Sequence, residues 1–92
     1  MTAVCMDNTE RDKVNPVAEQ LAGRPEVSEV YSVGGSYDLI AIIRVKENEA
    51  LANLVTEHIS KIEGIIDTET LLAFRAYSRH DLEKMFAVGQ EG

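Results

Sequence analysis

The segment that most constrains this chain is a strand–turn–strand pattern at residues 30–45. A turn of sequence Gly-Gly-Ser-Tyr-Asp joins two runs of β-forming residues. The second run is apolar at every position from 39 to 43, whereas a strand with one face in water alternates between apolar and polar side chains. This strand therefore requires cover on both faces, and a chain of 92 residues with two evident internal helices covers only one. We expect a second copy of the protein to cover the other face.

The length and the charge of the chain exclude several classes of protein. A chain of 92 residues corresponds to one domain, and no apolar run approaches the length of a membrane helix. The formal net charge of −7, with no cluster of Lys or Arg, argues against binding to the phosphate backbone of DNA or RNA. The single cysteine, Cys5, lies in an apolar run and has no partner for an internal disulfide, which indicates a reduced thiol and a cytoplasmic location.

Hydrophobic periodicity predicts four strands and two main helices. The first helix carries apolar residues at 14, 17, 18, 21 and 22, and the second extends from a cap at Asn48 to Gly64. Residues 7–12 are expected to form a polar connection after the first strand, and a short last helix is expected at 79–86. The strands are predicted at 2–6, 27–33, 38–46 and within 65–77.

The order of these elements is β-α-β-β-α-β. A faint internal repeat at a shift of 38 positions supports it, with Val17 matching Val55 and Leu21 matching Ile59. Two right-handed βαβ halves of this size form a four-stranded antiparallel sheet with both helices on one face. We therefore predict a single domain, residues 1–92, of the α+β class with the ferredoxin-like architecture. Residues 2–77 form its core and residues 78–92 a short extra helix and a tail.

The turn at residues 34–38 is the first candidate for a functional site. Gly34 and Gly35 suit a plain hairpin loop, because glycine readily adopts positive φ angles, and Asp38 suits the end of such a turn. The same residues also suit a ligand, because exposed glycine N–H groups bind a carboxylate and Asp38 binds an ammonium group. An α-amino acid carries both groups, so the residues alone leave a hairpin and an amino-acid site as alternatives.

Further candidates carry weaker signals. Thr68 and Thr70 share one face of the fourth strand, either as ordinary strand formers or as hydroxyl ligands. His58 borders the apolar stripe of the second helix, where a histidine at the edge of the core is the alternative to a ligand contact. Tyr37 is expected to pack at a subunit contact. The sequence carries no motif for a metal, a phosphate-binding loop or an activated nucleophile, so we expect no catalytic residue, metal or cofactor.

Two segments resemble the effector-binding half of the Lrp/AsnC (leucine-responsive and asparagine-responsive) transcription regulators, also called the RAM domain. They are residues 25–39, with the Gly-Gly-Ser-Tyr-Asp turn, and residues 62–70, with the Thr-x-Thr start of the fourth strand. The resemblance covers about residues 2–77. It implies a homodimer through the sheet face, a tetramer to octamer ring, and an effector site around the turn at a contact between dimers. It also implies that Thr68 and Thr70 line the effector pocket.

The helix-turn-helix domain of full regulators has no counterpart in this sequence, so the chain resembles the stand-alone version of the module. We predict a cytoplasmic module that senses an amino-acid-like small molecule and acts through assembly with itself or with full-length regulators of the family. We expect it to bind neither DNA nor membranes directly. Two alternatives are a small dimeric α/β-barrel enzyme, of the monooxygenase or isomerase type, and a purely structural assembly subunit.

Overall fold

The structure is a computed structural model that describes residues 1–79. Its strands and helices are, in chain order, β1 Thr2–Thr9, α1 Val14–Ala22, β2 Val27–Ser32, β3 Leu39–Arg44, α2 Asn48–Asn53 and β4 Ile65–Ala73. After α2 the chain continues through a π-helical turn, Leu54–His58, and a 3₁₀ turn, Ile59–Lys61. No helix in this part of the chain is long and apolar enough to span a membrane. The short helix predicted at 79–86 lies outside the described residues except for its first position.

The four strands form one antiparallel sheet in the order β2–β3–β1–β4. α1 connects β1 to β2, and α2 with its two following turns connects β3 to β4, so each connection passes over the strand that lies between its ends. The fold class predicted from the sequence, a ferredoxin-like α+β sheet with both helices on one face, is confirmed. β1 lies in the interior of the sheet and is paired on both sides.

The core lies between the helices and one face of the sheet. Alternate residues of β1 and β3 point into it, because successive side chains of a strand point to opposite faces. The buried apolar residues are Ala3, Cys5, Val17, Leu21, Val27, Leu39, Ala41, Ile43, Leu54 and Ile59. Burying one Leu, Ile or Val side chain contributes roughly 1.5–3 kcal/mol relative to leaving it exposed, so this layer is the main source of stability.

The second helical segment is less regular than its sequence pattern predicts. Leu54 and Ile59 are both fully buried, although they are five residues apart. In an α-helix five residues correspond to a rotation of about 500°, which would place the two side chains on different faces. The wider π-helical turn at Leu54–His58, with its i→i+5 geometry, brings both side chains onto the core face.

β1 is longer than predicted, because it continues through part of the segment 7–12 that was predicted to be a polar connection. Asp7, Asn8 and Thr9 belong to the strand and not to a connection. They remain extended because strands flank them: Asp7 pairs with Leu39 of β3 and Thr68 of β4. Backbone pairing on two sides therefore outweighs the low strand preference of Asp and Asn.

The other face of the sheet carries no helix, and we call it the open sheet face. Along β3 the burial alternates, since Leu39, Ala41 and Ile43 are fully buried and Ile40 and Ile42 only half-buried. The apolar residues on the open sheet face are Val4, Met6, Tyr31, Ile40, Ile42, Leu71 and Ala73. The helices of one chain therefore cover one face of β3, as the sequence predicts, and leave its second apolar face without cover.

We predict that Gly64→Ala destabilises the fold by about 2 kcal/mol. Gly64 has a φ of +104°, and an added Cβ would lie 2.8 Å from Cβ of Lys13 and 3.0 Å from Cγ2 of Val17. Gly34→Ala is the matched control, because its φ is not positive and nothing lies within 4 Å of the added Cβ. Urea denaturation should show a lower midpoint for Gly64→Ala and an unchanged midpoint for Gly34→Ala. Equal midpoints for both variants would contradict the prediction.

Candidate functional site

The β2–β3 loop, residues 33–38, is a short exposed turn that is closed by a hydrogen bond from Val33 N–H to Asp38 O, 3.0 Å long. Gly35 has a φ of +129°, a conformation that favours glycine. Within residues 1–79 the N–H groups of Gly34 and Gly35 donate no backbone hydrogen bond, and both glycines border open space. The loop therefore presents two backbone donors to any molecule that approaches it.

Asp38 joins this loop to the end of β1. Its Oδ2 accepts a hydrogen bond from the backbone N–H of Thr9 at 2.9 Å, and its own N–H donates to Asp7 O at 3.0 Å. Its Oδ1 makes no hydrogen bond within the described part of the chain, and the side chain is half-buried. Asp38 therefore has a structural role through one carboxylate oxygen and keeps the other oxygen available.

Tyr37 reaches across β1 on the open sheet face. Its hydroxyl donates a hydrogen bond to Oε2 of Glu69, which is paired with Met6 of β1. The hydrogen bond to Glu69, followed by desolvation and the negative charges of Glu69 and Asp67, raises the pKa of Tyr37. Tyr37 is thus held on the open sheet face, and its expected role at a subunit contact stays a prediction. With its pKa raised, the phenol remains protonated at neutral pH and does not act as a base.

Thr68 and Thr70 point to the opposite, helix-side face of β4, next to β1. Thr68 pairs with Asp7 and Thr70 with Cys5. Oγ1 of Thr68 lies 3.2 Å from Sγ of Cys5, and Oγ1 of Thr70 lies 3.9 Å from the same sulfur. Thr68 is exposed and Thr70 is half-buried. Each hydroxyl therefore lies between the solvent and the buried side chains of Cys5 and Asp7.

Asp7 is the functional candidate that the sequence interpretation missed. Its side chain is completely buried, and its two carboxylate oxygens lie 3.5 and 3.6 Å from Sγ of Cys5. Burial raises the pKa of Asp7, and hydrogen bonds from Thr68 and Cys5 partly oppose this effect. A signal was present in the sequence, because Asp7 follows Ala3 and Cys5 at the strand period of two.

Cys5 is a buried thiol with little nucleophilic character. Desolvation, which is the largest cause, raises its pKa to about 11, and the negative charge of Asp7 adds to the shift while a hydrogen bond from Thr68 opposes it. The thiolate is the reactive form of cysteine, so at neutral pH the Cys5 thiol is protonated and unreactive.

His58 does not join the loop. It lines a separate cleft of about 260 Å³ together with Gln20, Arg24, Glu57 and Lys61. Arg24 lies between α1 and the start of β2, at the end of β2 opposite the β2–β3 loop. The structure therefore brings Asp38 and Thr68 to the Asp7–Thr9 end of β1, places Thr70 opposite Cys5 near the middle of that strand, and places His58 elsewhere. Within residues 1–79 no three side chains of His, Cys, Asp or Glu form a metal-binding cluster.

Three kinds of similarity relate this chain to known proteins. A family model described as the Lrp/AsnC ligand binding domain matches residues 1–82. The HTH-type transcriptional regulator FL11 of Pyrococcus horikoshii is 34% identical over 77 residues, which are 84% of this chain and 50% of that protein. The chain thus spans about half the length of FL11. The crystal structure of TTHA0845 from Thermus thermophilus is 47% identical, has a TM-score of 0.81, and the match covers 85% of this chain and 98% of that one.

A more distant solved structure has the same fold. It is the transcriptional regulator NMB0573 of Neisseria meningitidis, described as a complex with L-Met, at 16% identity and a TM-score of 0.72. The match covers 85% of this chain and 53% of that one. At this identity the likeness supports the architecture alone.

We predict that Asp7→Asn removes one component of the pH dependence of stability. Because the pKa of Asp7 is raised in the folded chain, the buried carboxyl favours folding below its ordinary pKa of 3.8, and this contribution is lost as pH rises through the folded pKa. The gain in stability of Asp7→Asn over the parent should therefore grow with pH through this range and then stay constant.

Urea denaturation from about pH 4 to pH 8 measures this difference. Asp67→Asn is the control, because Asp67 is an exposed carboxylate on the same strand as Thr68. Its stability difference from the parent should be small at every pH. If the stability difference between Asp7→Asn and the parent were also independent of pH, the pKa of Asp7 would not be raised in the folded chain.

Proposed function

The chain belongs to the Lrp/AsnC ligand-binding domain family, and from this membership we propose that it senses a small amino-acid-like effector and responds through assembly. The observation that supports the proposal most directly is the β2–β3 loop. It combines two backbone donors, at Gly34 and Gly35, with one carboxylate oxygen of Asp38, and these groups have no hydrogen-bond partner among residues 1–79. These groups match the carboxylate and the ammonium of an α-amino acid.

The two threonines extend this proposed site across the sheet. Leu39, Asp7 and Thr68 are paired in one row across β3, β1 and β4. Neighbouring strands lie about 4.8 Å apart, so the β3 end of the loop and Thr68 are separated by about 10 Å. This span fits an amino acid with a side chain of moderate length. His58, in its separate cleft, is not included in the proposed site.

The open sheet face supports a homodimer. Its apolar side chains are continuous across β1, β3 and β4, and the surface they form is the one a second copy would cover in a sheet-on-sheet pair. Such packing buries Ile40 and Ile42, the apolar positions of β3 that the helices leave uncovered. The loop lies at the end of the sheet, where further dimers in a ring could contact it.

We predict that Ile42→Lys dissociates the dimer. Lysine at this position would place an unpaired charge between the two sheets, which should weaken the dimer by at least about a hundredfold. Asn53→Lys is the control, because Asn53 is exposed in α2 and the charge change is the same. Analytical ultracentrifugation at micromolar concentration should show a dimer, or a multiple of it, for the parent and the control. A monomeric parent at that concentration would refute the assembly proposal.

The crystallised TTHA0845 chain has about the extent of this module, since the match covers 98% of that chain. The net charge of −7 disfavours DNA binding by the module itself. We propose that any transcriptional effect arises when this module assembles with regulators that resemble FL11, which carry additional sequence. An enzymatic function has less support, because the relatives are named as transcriptional regulators and the pKa of Cys5 is raised.

We predict that at least one of the twenty L-amino acids raises the melting temperature of the parent, and that Asp38→Asn weakens its binding about tenfold or more. The amide keeps an oxygen to accept from Thr9 N–H but removes the charge that binds the ammonium group. Asp38→Ala also leaves Thr9 N–H without its acceptor, so it should lose both affinity and stability.

Calorimetry measures the affinity and urea denaturation the stability of each variant. If Asp38→Asn binds as tightly as the parent, the loop is only a hairpin. If no amino acid stabilises the parent, the structural alternative is favoured.

A further inference from the structure

We propose that the buried pair Cys5 and Asp7 sets the direction of the hydrogen bonds of Thr68 and Thr70, and thereby which group of the effector these hydroxyls bind. With Asp7 ionised, both hydroxyls present only acceptors to the effector and receive an ammonium group. With Asp7 protonated, they can present donors. This inference deepens the proposed function and rests on it, because it describes the same effector site.

The contacts of the cluster form a continuous chain. Oγ1 of Thr70 donates to Sγ of Cys5 at 3.9 Å, and the thiol donates to the carboxylate of Asp7 at 3.5 Å. Oγ1 of Thr68 lies 3.2 Å from the same sulfur and also acts on the carboxyl group of Asp7 as a hydrogen-bond donor. The inner partner of Thr70 is therefore the sulfur of Cys5, and the inner partners of Thr68 are the same sulfur and the carboxyl group of Asp7.

The number of protons in the cluster of Cys5, Asp7, Thr68 and Thr70 determines whether the outward sides of the two threonine hydroxyls donate or accept hydrogen bonds. An ionised carboxylate is only an acceptor, a thiol has one proton, and a hydroxyl has one proton and two lone pairs. When Asp7 is ionised, the protons of Cys5, Thr68 and Thr70 all point inward, and the exposed sides of the threonines offer lone pairs. When Asp7 is protonated, its own O–H donates into the cluster. The hydroxyl proton of Thr68 is then free to point outward.

No cation compensates Asp7 within the described part of the chain, where the ion pairs are Arg24–Glu26 and Lys61–Glu57. Asp67 and Glu69 of β4 point to the open sheet face, and Asp38 binds Thr9 N–H. On the helix-side face the strand neighbours of Asp7 are Cys5 and Thr9 of β1, Leu39 of β3 and Thr68 of β4. The fully buried side chains that the helical segments contribute to this layer are all apolar: Val17, Leu21, Leu54 and Ile59.

The protonation of Asp7 therefore acts through Thr68 and Cys5. The negative charge of Asp7 beneath the two hydroxyls also favours a cation above them, because the interior screens it weakly. The effector should thus be oriented with its α-carboxylate toward Gly34 and Gly35, its α-ammonium toward Asp38, and a donor group of its side chain, such as a side-chain ammonium, toward Thr68. Acidification should weaken the binding of such a molecule, although neither its ammonium nor its carboxylate titrates near neutral pH.

Asp7→Asn tests the inference, because the amide donates permanently and so resembles the protonated carboxyl. Calorimetry would use each L-amino acid that stabilises the parent, across the same range of about pH 4 to pH 8 as the stability measurement. Parent affinity should fall on acidification by about five- to tenfold, the equivalent of one ordinary hydrogen bond. Asp7→Asn should bind at this weaker level at every pH. Asp67→Asn is the control with the same charge change and should keep the parent profile.

Two variants of Cys5 test the relay. Cys5→Ser keeps one donor and the acceptor lone pairs, so it should retain the pH dependence of the parent. Cys5→Ala removes the partner of Thr70, and the pH dependence should diminish. The inference would be overturned if the affinity of Asp7→Asn changed with pH as it does in the parent, or if this variant bound tightly at every pH. Either result would leave the proposed function intact.

A measurement without effector separates the two hypotheses. The ¹³C shifts of the Thr68 and Thr70 methyl groups should titrate with Asp7 in the parent and in Asp67→Asn but not in Asp7→Asn. Absence of this titration in the parent would overturn the proposed coupling whether or not an amino acid binds. If the shifts titrate but no amino acid binds at any pH, the coupling stands, and the proposed function with its effector orientation is overturned.

Discussion

The structure depends on the cover that helices provide for one face of the sheet and not for the other. α1 and the helical segment after β3 contribute Val17, Leu21, Leu54 and Ile59 to a single apolar layer. A chain of this length has no third layer in its described part, so the alternate side chains of β3 remain only half-buried on the open sheet face. The stability of one chain and its proposed assembly therefore depend on the same strand, through its two opposite faces.

β1 is the strand on which the candidate site is built. It is paired with β3 and β4, and its end carries the loop through the contacts of Asp38 with Thr9 and Asp7. A carboxylate buried in this strand costs free energy unless it is hydrogen-bonded, and Cys5 and Thr68 supply those bonds. The polar groups that weaken the core here are next to the hydroxyls that we place in the effector site. A functional site is the usual place for such a local departure from an apolar core.

Asp38 has a structural role in the chain and, in the proposed site, a role in recognition. Its Oδ2 accepts the hydrogen bond from Thr9 N–H, while its Oδ1 has no hydrogen-bond partner in the described part of the chain. The loop is consequently held in place before any effector arrives, which reduces the conformational entropy that binding would otherwise cost. The same arrangement means that deleting the side chain changes stability and recognition together, whereas the amide replacement separates them.

Patterns along the chain were sufficient to predict the order of the elements, the sheet with helices on one face, and the loop with Gly34, Gly35 and Asp38. These follow from periodicity and turn chemistry, which act between residues close in the chain. Tertiary structure alone decided that Asp7 lies under Thr68, that the π-helical turn brings Leu54 and Ile59 to one face, and that His58 lies in another cleft. Strand register and helix geometry depend on pairing between distant residues, and a single sequence does not specify those partners.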